Sequence, residues 1–169
     1  GWEKLPFYAK EKELIKTLVR YGEKIVCYIA GEEEEEIPIT VTEFIAADLE
    51  QDNLLFHNPV HRNLLQEAQA HLNDADFSTE RYFLTHPNPT ISKMAAEMIS
   101  DQHRLSKSNE QMIVKDEGRL HELIPHLLID FKLAILEEDR KQTMQQLGLP
   151  EVLNNQQKTK EVMEHYKKL

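Results

Sequence analysis

At 169 residues the chain suits one ordinary domain or a domain with a small appendage, and 40% hydrophobic with 30% charged residues marks it as globular rather than disordered. A single cysteine, Cys27, excludes a disulfide framework and a cysteine-based zinc site, and with no secretory leader or bilayer-length apolar run visible, a reducing cytoplasm is the expected compartment. The net charge of −10 is concentrated in residues 25–150, which carry ten basic and twenty-three acidic groups; such a body repels phosphate backbones, so a protein partner is expected and direct nucleic-acid binding is not.

Only five glycines and 7% aromatics, against many Leu, Glu, Gln and Lys, make the composition that of a helix former. The first residue is Gly1 rather than Met, so the sequence is expected to be an excised piece or to carry a tag remnant.

In chain order, residues 8–21 put Leu14, Ile15, Leu18 and Val19 on one helical stripe, with Gly22 placed as a C-cap. "KIVCYI" at 24–29 reads as a short strand, "GEEEEE" as a solvated turn and "IPIT" as the return strand, giving one small β-hairpin near 24–40 with Cys27 expected buried and inert. "TVTE" at 40–43 is a capping box that opens a helix expected to bury Phe44, Ile45 and Leu49. Asn58-Pro59 and Asn88-Pro89 each open a helix, the asparagine capping orphan donors and the proline having no donor to waste. Their stripes are Val60, Leu64, Ala68 and Leu72 in the first. In the second they are Ile91, Met94 or Ala95, Met98 and Ile99. Between them Ser78 caps a short helix with Tyr82, Phe83 and Leu84 expected to pack inward, and residues 101–111 read as a further turn or two.

From about Asp116 to Leu147 the pattern is one long helix with Leu120, Ile124, Leu127 or Leu128, Phe131, Ile135 and Leu136 as its stripe. "GLP" at 148–150 ends it, and residues 151–169 make a second helix. The expected fold class is therefore mainly α: a helical bundle over residues 1–115, then a long helix and protruding C-terminal helical hairpin over 116–169.

Candidate chemistry is sparse. "RLHELIPHLL" at 119–128 falls one residue short of the H-E-x-x-H zinc helix, but His121 and His126 are five apart and so lie roughly 140° apart around a helix. They cannot share an ion, and Pro125 reads as a bend within the helix. Glu67 and His71, at i and i+4, are the one pair spaced for a metal in a bundle core. They sustain an alternative reading as a helical metal-dependent enzyme, although such spacing is more common on solvated faces. His57 and His61 straddle a cap, and His86 reads as a helix C-terminal residue favoured by the dipole. Asp48, Glu50 and Asp52 lack calcium-loop spacing, and there is no glycine-rich phosphate loop and no nucleophile elbow. Arg20, Lys158 and Lys160 are the candidates for a single-strand DNA binder, which the net charge disfavours.

The stretches "TVTEFIAADLEQD", "HNPVHRNLLQEA", "RYFLTHPNPTISKMAAEMISD" and "RLHELIPHLLIDFKLAILEEDRKQ" closely resemble the C-terminal part of bacterial replicative DNA primases, particularly those of the Bacteroides group. The resemblance runs from about Glu11 to Leu147 and more loosely to the end. It implies a bundle followed by a hairpin that docks on the N-terminal domain of the hexameric replicative helicase, coupling primer synthesis to the fork and modulating the helicase. Zinc and magnesium are implied only for the primase domains missing here, so no cofactor, no catalytic residue and no membrane contact is expected in this piece. The expected helicase-binding residues are Met144, Leu147, Val152, Val162, Met163, Tyr166 and Leu169, although packing within the hairpin competes for the same side chains. The 24–40 insert reads as a lineage feature within that pattern.

Overall fold

The computed structural model describes residues 1–103, 118–148 and 156–167. The expected domain boundary at 115/116, the "LP" stop at 149–150, Val152 and Leu169 lie outside the described residues. So does most of 101–111. The chain divides into two compact units, Glu11–Leu128 and Gly1–Lys10 with Ile129–Leu169. The fold is mainly helical with one small two-stranded sheet, as the residue pattern predicts.

After a 3-10 turn at Trp2–Lys4 come α1 (Pro6–Tyr21), β1 (Ile25–Ala30), β2 (Glu36–Thr40), α2 (Val41–Gln51), α3 (Pro59–His71), α4 (Thr79–Leu84) and α5 (Pro89–His103). Then follow α6 (Leu120–Leu147) and α7 (Gln156–Lys167). The caps form as their residue types dictate. Thr40 and Glu43 close a reciprocal capping box, and the Asn58 and Ser78 side chains accept from Val60 and Arg81 backbone N–H groups. Asn88 does the same for Thr90.

In the 11–128 unit the core is built from Leu14, Ile15, Leu18 and Val19 of α1, Val41, Ile45 and Leu49 of α2, and Leu64 and Ala68 of α3. Phe83 of α4, Ile91, Ala95 and Ile99 of α5, and Leu120, Ile124 and Leu128 of α6 complete it. Three expectations shift. Phe44 is half-buried, because Val41, Ile45 and Leu49 recur every fourth residue and already fill the inward face. Tyr82 is half-buried and Leu84 exposed, since a helix of six residues turns only one large side chain, Phe83, fully inward. The polar His61, not Val60, joins Leu64 and Ala68 on the buried face of α3.

The hairpin pairs antiparallel in the register Cys27↔Ile39, Tyr28↔Pro38, Ile29↔Ile37, with an irregularity between Ile25 and Cys27 where Val26 turns inward. Cys27 is half-buried rather than buried, because a two-stranded ribbon has only one covered position here. Glu34 closes the turn with φ 64°, a left-handed conformation that glycine would adopt more easily.

Gly22 follows α1 but does not take a left-handed φ. Its role is close approach: a Cβ there would fall on Thr79 Cγ2 and 2.6 Å from the Leu18 carbonyl oxygen. Gly22 N donates to Thr79 Oγ1 at 3.0 Å, and Thr42 Oγ1 donates to the Gly22 carbonyl at 2.8 Å. Glu23 then accepts from both the backbone N and the hydroxyl of Thr79. This small polar knot ties the end of α1 to the starts of α2 and α4.

Helix α6 runs through Pro125 without interruption. Leu120, Ile124, Leu128 and Phe131 stay in phase on both sides of the proline and are all buried, whereas His121 and His126 are exposed. The near-zinc sequence is thus the outer face of a helix whose inner face packs.

Candidate functional site

In the unit that contains the tail, α6 carries a second apolar stripe. Ile129, Leu133, Leu136 and Met144 are 55%, 58%, 42% and 52% exposed. At 100° per residue they share one face, roughly 160° around the axis from the buried stripe. A surface helix of a globular protein ordinarily has one apolar face, so a second one left in water marks a surface built to be covered.

Helix α7 borders this face. Tyr166 and Lys167 line a shallow cleft of about 430 Å³ with Leu133, Leu136, Glu137 and Arg140. The two helices are joined by His165 Nε2 and Asp139 Oδ2 at 3.1 Å. Of the residues expected to bind a partner, Met144 and Met163 are exposed, and Leu147, Val162 and Tyr166 are half-buried. The site is therefore shared between outward display and packing within the unit. Ile129, Leu133 and Leu136 are its unforeseen members. Their signal was present in the sequence as an i, i+4, i+7 spacing on the side of the helix opposite the core stripe, with Leu136 counted on the core side.

The histidine and carboxylate clusters of the 11–128 unit do other work. Glu67 Oε1 accepts from Tyr82 Oη at 3.1 Å and from His86 Nε2 at 2.9 Å, while His86 Nδ1 accepts from Asn88 N at 3.0 Å. His71 turns instead to Asp74, so Glu67 and His71 do not converge on one point. Among the described residues no group of three or more His, Cys, Asp or Glu side chains is placed to hold a metal. His86 thus owes its position to a carboxylate and a backbone donor, not to a helix dipole alone. Desolvation raises the Tyr82 pKa, and the hydrogen bond to Glu67 with the charges of Glu67 and Asp74 raises it further.

Glu11 is fully buried on α1. Its carboxylate accepts from His57 N at 2.6 Å, Asn58 N at 3.1 Å and His61 Nδ1 at 2.8 Å. Burial pushes its pKa up, but the His61 hydrogen bond, the two backbone donors and the charge of His61 together outweigh it and hold it below the ordinary range. The group fastens the start of α3 to α1. Arg20, a candidate for strand binding, is 8% exposed and cannot lie along a polymer backbone.

The model of the family described as "Domain of unknown function (DUF8430)" matches residues 2–169. The chain belongs to that family. The match spans both compact units, so the bundle and the tail are parts of one family pattern. No curated protein and no solved structure matches the chain.

Proposed function

We propose that this chain is a non-catalytic docking module, the helicase-binding domain of a bacterial replicative DNA primase. Its partner is the N-terminal domain of the hexameric replicative helicase, and its role is to hold primer synthesis at the fork and modulate the helicase. The exposed second stripe of α6 carries the docking half of this reading. The identity of the partner rests on the sequence resemblance. The working location is the bacterial cytoplasm, in keeping with the lack of any membrane-length apolar helix among the described residues.

The energetics of such a site are those of burial. Fully burying a large apolar side chain is worth about 1.5–3 kcal/mol, and these are already about half covered, so the stripe offsets part of the cost of association and a few well-packed anchor contacts supply the rest. Leu133, Leu136 and Tyr166 offer a cleft for an apolar ridge. Met144 and Met163 add unbranched side chains that adapt to the partner's shape. Glu137, Arg140 and Lys167 rim the cleft and set orientation more than strength.

The test is co-elution of the full chain with the N-terminal domain of the cognate helicase on a sizing column. Deleting 148–169 is expected to abolish the complex while the 11–128 unit stays folded by circular dichroism. Leu133→Glu and Leu136→Glu, at positions already exposed, are expected to weaken it by at least roughly tenfold. A complex of full strength with the truncated chain overturns the proposal.

A further inference from the structure

The β-hairpin has two outer edges, and its register decides what each one shows. Gly31 N donates to the Glu35 carbonyl at 2.8 Å, so these two residues form a bonded pair. Bonded pairs alternate along an antiparallel ladder, which makes Ile29↔Ile37 and Cys27↔Ile39 the next two. Tyr28↔Pro38 and Ala30↔Glu36 are then the unbonded pairs, and their backbone groups point away from the hairpin. The β2 edge is guarded: Pro38 has no N–H, and the Thr40 N–H is held by Glu43 Oε1 at 3.1 Å. The β1 edge has no such guard. Tyr28 and Ala30 direct two N–H and two C=O groups outward from an exposed stretch, and among the described residues no third strand meets them.

The side chains around that edge are apolar on both faces. Successive residues of a strand alternate faces and paired residues share one, so Ile29 lies beside Ile37 and Tyr28 beside Pro38. Tyr28 is 58% and Ile29 50% exposed, and Ile37 and Pro38 are exposed as well. The turn beyond them carries five consecutive glutamates at 32–36, all exposed. Glu35 accepts the Glu33 N–H at 2.9 Å, and among the described residues none of the five meets a cation. An unguarded apolar edge that ends in an unanswered block of negative charge is complementary to an extended segment of the opposite sign.

We propose that the free edge of β1 receives an extended, basic segment of another protein as a third strand. Backbone bonds to Tyr28 and Ala30 fix its register, alternate apolar side chains cover Ile29 with Ile37 or Tyr28 with Pro38, and Lys or Arg at one end meets the glutamates at 32–36. A second copy of this chain is disfavoured, since it brings a net charge of −10 and five such glutamates of its own. Nucleic acid and anionic lipid are repelled for the same reason. The hairpin lies wholly in the 11–128 unit and does not depend on the docking role of the tail.

The test is selection from a displayed library of random decapeptides on the full chain, followed by titration of the enriched peptide. The expected result is enrichment of sequences that alternate β-branched residues with others and carry Lys or Arg toward one end. Glu32→Gln, Glu33→Gln and Glu34→Gln together are expected to weaken the peptide by at least roughly tenfold. Amide hydrogen exchange is expected to slow at Tyr28 and Ala30 in the complex, as a strand added to that edge requires. Ala30→Pro removes one outward donor, leaves the bonded pairs of the hairpin in place, and is expected to cost at least roughly tenfold in affinity. The exchange reading is made on the native chain and so holds whatever Ala30→Pro does to the hairpin. No enrichment, enrichment without an excess of Lys and Arg, unchanged exchange at Tyr28 and Ala30, full affinity in Ala30→Pro, or a dimer of the free chain that Ala30→Pro dissolves each overturns the proposal.

Discussion

Helix α1 carries two buried charged groups nine residues apart, and they stand in opposite conditions. Glu11 is enclosed by three donors, two from the backbone before α3 and one from His61. Arg20 is enclosed with its Nε and Nη1 unmatched. Both come from one helix and both are hidden from water, so burial alone does not distinguish structure from function. What distinguishes them is completeness. The Glu11 carboxylate is held by three donors and fastens two helices, whereas the Arg20 guanidinium is buried with two nitrogens that fasten nothing.

The largest effect expected from this contrast is at Glu11. Glu11→Ala leaves two backbone N–H groups and the His61 ring without their acceptor in a dry site, a loss of about 3–5 kcal/mol. Urea unfolding checks it, and a loss below about 1 kcal/mol would break the contrast at its first term. Glu11→Gln retains one acceptor oxygen and is expected to fall between the two.

The same bond gives an acid signature. Because the folded pKa of Glu11 is depressed, its stabilisation is fully present above the ordinary glutamate pKa and is lost as pH falls through the folded value. The stability gap between the native chain and Glu11→Gln is therefore expected to narrow from about pH 5 downward and to be flat above it. Unfolding midpoints from about pH 7 to about pH 3 measure this directly, and a gap that stays constant over the whole range would remove the linkage.

Much of the scaffold behind these sites was legible beforehand for a simple reason. Caps and stripes are local, so Thr40 with Glu43, Asn58 with Pro59, and Leu14 through Val19 announce themselves within a few residues. The β-hairpin was legible because β-branched runs flank a charged turn. Glu11 and His61 were not, because their meaning is a contact across fifty positions. A faint signal existed: each sits in phase with the apolar stripe of its own helix, Glu11 with Leu14 and Leu18, and His61 with Leu64 and Ala68. A charge in phase with a core stripe is worth pairing with another such charge. Arg20 follows Val19 directly and is out of that phase, so only its burial and the cleft reveal it. The outer stripe of α6 was half legible. Met144 reads as a docking residue and Leu136 as a core one, while Ile129 and Leu133 go unnamed, because the number of stripes a helix can bury depends on what surrounds it.

The smallest expected effect is the most discriminating. Arg20→Met replaces a buried cation with two unmatched nitrogens by an apolar chain of similar reach, so the protein is expected to gain about 1 kcal/mol or to stay level in urea unfolding. A structural arginine would show the opposite sign, because its removal strands partners. Here Glu23 keeps both of its Thr79 bonds whatever stands at position 20, and no acceptor is stranded at Nε or Nη1.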